Sequence, residues 1–303
     1  MKDTFDYTMH WISSLTVHAG VFHADDVFCG AMARIINPDA EIYRVNKAEI
    51  DTDVENGIIV ADIGFGRFDH HQPDCPFRED GIKHCAASRL WLVYGFTVVK
   101  TLCPDMDDQS AEIICGHIYN IMLRTISALD NWSEGFPKDV YSVSVMVKSF
   151  TPDWDGEKSY DEGFMDAVEF MSSALTREIG RKASELRAEL YVRASLQQMT
   201  DGIFILEKYC PWERTAIATP EAKVVVYRSL RGGWDIEAVA CDESRDTHRV
   251  KTPESWRGKM GDDAAKEMPG MKFCHEKGFV ASFTTREYAE NAARYLVENC
   301  SVS

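Results

Sequence analysis

Residues 14–37, "SLTVHAGVFHADDVFCGAMARIIN", decide the fold. The run Ser14 to Ala19 is β-branched and apolar enough for a buried strand, and Gly20 supplies a turn. From His23 onward Val27, Ala31 and Ile35 recur at helical spacing until Asn37-Pro38 stops them. A strand feeding a helix in this way is the start of a βαβ unit. Outward from it, "EIYRV" (41–45) reads as the next strand and "GIIVADIG" (57–64) as a fully buried one. Strands separated by helices predict an α/β fold with a mostly parallel sheet flanked by helices. In such sheets functional groups gather just past the carboxyl ends of the strands, where His18 and Asp62 fall.

Further along, "SAEIICGHIYNIMLRTISALD" (110–130) is expected to be a helix. Past "TPDWDG" (151–156), an amphipathic stripe runs through Phe164, Val168, Met171, Leu175, Ile179, Ala183, Leu186 and Leu190, with a possible break at Gly180. From residue 202 the pattern changes to consecutive strands, "GIFILEK", "AKVVVYRSL", "WDIEAVAC" and "GFVASFTT", closed by the helix "TREYAENAARYLVEN". The expected organisation is a catalytic domain over 1–155, a helical connector over 156–200 and a smaller α+β domain over 201–303. The last is expected to bind substrate and close over it.

The 303 residues are 45% hydrophobic and 27% charged, the profile of a globular protein with a sizeable core. No stretch approaches the ~20 apolar residues of a membrane helix, and the N-terminus lacks a secretion signal. The nine cysteines are scattered and form no C-x-x-C pair, which argues against a disulfide framework and a thiolate zinc site and favours a cytoplasmic home. The formal net charge is −16. Residues 201–303 hold 15 Lys and Arg against 17 Asp and Glu, so −14 of the total lies in residues 1–200. The acidic excess argues against strong non-specific grip on long nucleic acid, so a nucleic-acid substrate is expected to be short or held by a local basic patch.

Three polar clusters fall near the predicted strand ends. His18, His23, Asp25 and Asp26 lie in "VHAGVFHADD"; Asp62 lies in "VADIG"; and "GRFDHHQPD" (66–74) carries Asp69, His70 and His71. Asp130 closes a predicted helix. Taken singly, each has a plain explanation: Asp25 and Asp26 suit the first turn of a helix, and a lone His-x₄-His is common. A carboxylate ending a buried strand, however, needs a partner, and adjacent imidazoles point in different directions, which packing seldom requires. Imidazole and carboxylate donors without thiolate suit Mn²⁺ and similar divalent ions. Two such ions roughly 3.5–4 Å apart can activate water and neutralise a phosphoryl group.

The blocks "VHAGVFHADDVFCGAMARI", "VADIG" and "RFDHHQ" resemble the signature blocks of the Myg (melanocyte-proliferating-gene) family within the DHH phosphoesterase superfamily. "CPWER" (210–214), "ESWRGK" (254–259), "MPGMKF" (268–273) and "GFVASFTTRE" (278–287) have counterparts in that family's C-terminal half, so the resemblance runs nearly the whole chain. It implies that Asp62 bridges two metal ions. Asp25, His70 and Asp130 would complete one shell, and His18 and His23 the other. His71 would touch the scissile phosphate, Asp69 would orient the neighbouring imidazole, and Asp26 would act as a supporting acid. Two features depart from the family. Ala281-Ser282-Phe283 stands where Gly-Gly-His is usual, and the loop from Asp62 to Asp69 is short.

The resulting expectation is a two-metal-ion, Mn²⁺-dependent phosphoesterase acting as a 3′–5′ exonuclease on short RNA, an oligonucleotide or a nucleotide, with no membrane partner. His71, Arg257, Lys259, Phe283 and Arg286 are the expected substrate contacts, Phe283 by stacking on a base. Trp212 and Trp256 are expected in the core. Alternatives are a metal-loaded nucleotide- or RNA-binding protein without turnover, a hydrolase of small phosphoesters, and metal-assisted hydrolysis of an amide.

Overall fold

The structure, a computed structural model, describes residues 3–136 and 141–300. By internal contacts the chain divides into two compact units, Met1–Ala183 and Ser184–Ser303. The first begins with β1 (Ser14–His18), α1 (Ala24–Ile36), β2 (Glu41–Val45) and β3 (Ile58–Val60). The three strands form a parallel sheet in the order β2-β1-β3, with Thr16 of β1 level with Tyr43 on one side and Val60 on the other. Right-handed crossovers through helices are the usual way to join parallel neighbours. β1 is therefore central, and its Leu15 and Val17 are fully buried.

Helix α2 (Ala86–Leu102) packs on α1, with Phe28 set edge-on to Trp91. It is apolar around most of its circumference, as a helix buried within the unit must be. α3 (Asp108–Ile118) continues through a π-helical turn at Tyr119–Leu123 into α4 (Arg124–Asp130). The expected 110–130 helix is thus one helical run with a wide turn inserted. Such turns rotate the residues that follow, and Asp130 ends this one. α5 (Val143–Lys148) and the 37-residue α6 (Tyr160–Leu196) follow.

α6 runs through Gly180 without a break. Its stripe is buried from Phe164 to Ala183, then shifts: Ala188 and Val192 are buried, whereas Leu190 is 62% exposed. α1 meets α6 at Gly30, where a Cβ would lie 2.7 Å from Val168 Cγ2. Nothing larger than hydrogen fits without displacing α6. Arg44 at the end of β2 donates to Asp161 (2.6 Å) and to the Gly20 carbonyl (2.7 Å), with its guanidinium 4.6 Å from the Phe164 ring centroid. It ties the loop after β1 to the start of α6.

The second unit contains β4 (Ile203–Leu206), α7 (Glu213–Ile217), β5 (Val224–Arg228) and β6 (Trp234–Ala238). A 3₁₀ turn (Glu254–Trp256), α8 (Gly261–Glu267), β7 (Met271–Cys274), β8 (Val280–Phe283) and α9 (Arg286–Asn299) complete it. The sheet order is β4-β5-β6-β8-β7, parallel at β4–β5 and antiparallel elsewhere. Along β5, Val224 and Val226 enter one core with the α9 residues Ala289, Ala293 and Leu296. Val225 and Tyr227 enter the other with Val192, Phe204 and Trp212. A strand covered on both faces reads as a continuous apolar run, which is what "VVVY" is. Trp212 and Trp256 are core residues. No helix among the described residues is long and apolar enough to cross a membrane.

Candidate metal centre

Side chains from β1, α1, the turn after β3, the loop that follows it and the end of α4 converge beyond the carboxyl ends of the parallel strands. Three groups each have their ligand atoms within 4.8 Å of one another: His18, His23 and Asp26; Asp62, His70 and His71; and Asp25, His70 and Asp130, the last two sharing His70. All the residues expected from the sequence to hold metal are brought together here, and Asp26, expected as a supporting acid, stands at the same range.

Asp62 occupies the left-handed region (φ 58°), tolerable for a short polar side chain, and is 3% exposed. Its Oδ2 lies 3.4 Å from His18 Nε2 and its Oδ1 3.1 Å from His70 Nε2. The two oxygens therefore face opposite sides of the cluster. Asp25 is fully buried and accepts the Ala86 and Ala87 amides at the start of α2 (2.8 and 2.6 Å), so a helix N-terminus holds this carboxylate. Asp26 Oδ1 accepts the His23 amide at 2.8 Å, while Oδ2 lies 3.4 Å from His18 Nε2.

The imidazoles are fixed from behind. His18 Nδ1 donates to the Ala19 carbonyl (3.1 Å). His70 Nδ1 lies 3.3 Å from Asn131 Oδ1, and Asn131 Nδ2 donates to the carbonyls of Lys83, His84 and Ser127. With its amide nitrogen committed, the Asn131 oxygen must face the ring as acceptor. His70 Nε2 is thereby turned toward Asp62, Asp130 (3.1 Å) and Asp25 (3.5 Å). A histidine with one nitrogen anchored and the other aimed into a ring of carboxylates is the arrangement of metal-binding imidazoles.

Electrostatics agree. The Asp62 bond raises His18 to about 9 against the opposing effect of burial. Burial also opposes charge on His70, but Asp62, Asp25 and Asp130 outweigh it and raise that imidazole to about 9. Burial pushes Asp26 up to about 7. Asp25 and Asp130 are likewise raised, by burial first and then by neighbouring carboxylates. Asp62 is held low because its two imidazoles outweigh its own burial. The cluster packs four carboxylates, Asp25, Asp26, Asp62 and Asp130, against the His18 and His70 imidazoles, an excess of acid over base. Asp26 Oδ2 and Asp62 Oδ1 are buried and accept no hydrogen bond, although imidazole nitrogens stand nearby. Orphaned carboxylate oxygens of this kind are costly unless a cation serves them, and the oxygen and nitrogen donors fit divalent ions of the Mn²⁺ type.

At the edge, Asp69 accepts the amides of Phe65 (2.6 Å) and His71 (3.1 Å) and His71 Nδ1 (2.7 Å). The His71 side chain is 55% exposed, so its Nε2 is free to meet a ligand. Asn131, the two α2 amides and Arg89, which donates to the Asp69 carbonyl, were not apparent in the sequence. Only the Asn next to Asp130 in "ALDNW" offered a signal.

The expected contacts of the C-terminal half stand differently. Phe283 is fully buried in the core of the five-stranded sheet, because β8 turns it inward, so its ring has no surface on which a base could stack. Arg286 pairs with Glu207 and Glu290 at 2.6 Å each. Arg257 donates to the Thr252 carbonyl (2.8 Å), and Lys259 is half-buried just beyond Trp256.

Comparison with known proteins gives one consistent family. The model of the family MYG1_exonuc, described as "Uncharacterised protein family (UPF0160)", matches residues 14–296. A MYG1 protein of Schizosaccharomyces pombe is 26% identical, over 96% of this chain and 99% of its own. The MYG1 exonuclease of Rattus norvegicus is 26% identical over 91% of this chain and 82% of its own. That of Homo sapiens is 25% identical over 91% and 84%. No solved structure gives a significant match.

Proposed function

Because the chain belongs to the MYG1_exonuc family, we propose that it is a two-metal-ion phosphoesterase of the DHH type, cutting phosphodiester bonds from the 3′ end of short RNA or oligonucleotides. The observation that carries this reading is the position of Asp62, whose two oxygens face His18 and His70 across a cluster of buried carboxylates. Two relatives bear the name exonuclease, which favours a nucleic-acid substrate over other phosphoesters.

In this reading Asp62, Asp25, His70, Asp130, His18 and His23 would hold two divalent ions, preferably Mn²⁺. Asp26 is a further donor beside His18. Divalent ions held there supply activation of water and neutralisation of phosphoryl charge. The protein's own part is positional. The α2 amides lock Asp25, Asn131 and the Ala19 carbonyl aim two imidazoles, and Asp69, accepting from His71 Nδ1, leaves Nε2 facing outward, where the imidazolium form can donate to a phosphate oxygen. Arg257, Lys259 and Arg286 remain candidates for a terminal phosphate, the two arginines after giving up their present partners.

The test is hydrolysis of 5′-end-labelled single-stranded RNA under Mn²⁺, beside dinucleotides and mononucleotides, with Asp62→Asn as control. Stepwise loss from the 3′ end, reduced at least ~100-fold in the variant with its melting temperature retained, is expected. Full activity in Asp62→Asn would sink the assignment, and saturable binding without product would favour a binding protein.

A further inference from the structure

A cavity of about 350 Å³ opens directly beside the centre, sharing His23, Asp25 and Asp130 with it. Its size lies within the roughly 300–1,000 Å³ of small-molecule sites. Past those three residues its character changes. The walls are largely apolar and aromatic, Trp132, Phe136, Val21 and Val145 among them, and Lys148 is the one Lys or Arg among the described residues that line it. Its polar groups past those three are Ser133, Ser142, Ser144 and Lys148. A flat heteroaromatic ring would find faces to stack on and a few polar groups, Ser144 and Lys148, for its edge.

Trp132 gives a second, independent sign. Helix α4 ends in a Schellman arrangement: the Trp132 amide donates to the Leu129 carbonyl (3.3 Å), and the Ser133 amide to the Ala128 carbonyl (2.8 Å). The residue between the cap and Ser133 must be left-handed, and Trp132 has φ 54°. Glycine usually fills that position because a side chain there is strained. Here the position holds the bulkiest side chain, 74% exposed at the rim of an apolar pocket. A backbone outlier tolerated beside a chemical centre points to use of the side chain.

We propose that this pocket is a nucleobase subsite in which the base of the nucleotide at the centre stacks against the Trp132 indole. The choice of a nucleobase rests on the phosphoesterase reading; the pocket's preference for a planar aromatic group rests on its walls. Because it adjoins Asp25, Asp130 and His23, a base seated there leaves its own phosphate within reach of the centre. Stacking recognition of this kind tolerates any base, since each has a π face.

The test is calorimetric binding of AMP and of ribose 5-phosphate, which share the ribose and phosphate and differ in the base, to the Mn²⁺-loaded protein. AMP is expected to bind about fivefold to a hundredfold more tightly, the range of one base–aromatic stack. In Trp132→Gly the difference disappears, ribose 5-phosphate binds as before, and the melting temperature is unchanged or raised because glycine relieves the left-handed backbone. Trp132→Phe restores most of the preference. Equal affinities in the wild-type protein, or no AMP binding at millimolar concentration, overturn the subsite. So does a Trp132→Gly variant that melts lower and loses both ligands together, which would make the indole structural. Failure of the phosphoesterase reading looks different: no product from any phosphodiester, with the preference for AMP intact.

Discussion

His70 is held in a vice. Three carboxylates face its Nε2, and Asn131 fixes its Nδ1. If that anchor sets the aim of the imidazole, Asn131→Ala should weaken Mn²⁺ binding by about 10- to 100-fold, measured by calorimetry, while circular dichroism shows the native helix content. An unchanged affinity would mean that the carboxylates alone orient the ring. That these acids and imidazoles come together was legible, because they fall near predicted strand and helix ends. Asn131 and the amides of Ala86 and Ala87 were not, since their roles arise only when segments distant in sequence meet. Phe283 misled: its position in a family motif said nothing about the face of β8 on which it lies.

At the scale of elements, the contact of α1 with α6 depends on the missing side chain of Gly30. Gly30→Leu should destabilise the protein by about 1–3 kcal/mol, as overpacking does, seen as a lower denaturant midpoint at unchanged slope; no shift would mean that α6 can move aside. In the second sheet, burial first and then Glu213 and Asp235 push Glu237 on β6 up to about 7 from 4.5, against the Tyr227 hydroxyl that donates to it at 2.9 Å and the attraction of Arg245. The fold therefore holds this proton more tightly than the unfolded chain does. The stability it contributes is complete below about 4.5 and is lost as pH rises toward about 7. Glu237→Gln should flatten the decline of melting temperature over that window relative to wild type, and parallel curves would refute it. Seven of the eight strands were readable from apolar runs between turns, and so was α1; β7, only four residues long and not β-branched, was not. α2 escaped because a helix apolar on nearly every side shows no stripe. The α6 stripe was readable until it shifted past Ala183, where tertiary burial rather than periodicity chooses which residues are covered.

For the molecule as a whole, the acidic balance and the site have one explanation. Fourteen of the sixteen excess negative charges lie in residues 1–200, and a part of them is the cluster of the buried Asp25, Asp26 and Asp62 with the partly buried Asp130 around imidazoles. Carboxylates concentrated in this way oppose folding by mutual repulsion unless cations occupy the space between them. A ligand that binds only the native state adds stability by mass action, about 2.7 kcal/mol at a hundred times its dissociation constant. The most direct measurement is therefore a Mn²⁺ titration of the purified protein by calorimetry, with melting temperature followed in parallel and Asp62→Asn as the comparison. Two ions per chain with a rise in melting temperature, both reduced in the variant, are predicted. A wild-type protein that takes up no Mn²⁺, or an Asp62→Asn variant that binds it as well as wild type, would contradict the account.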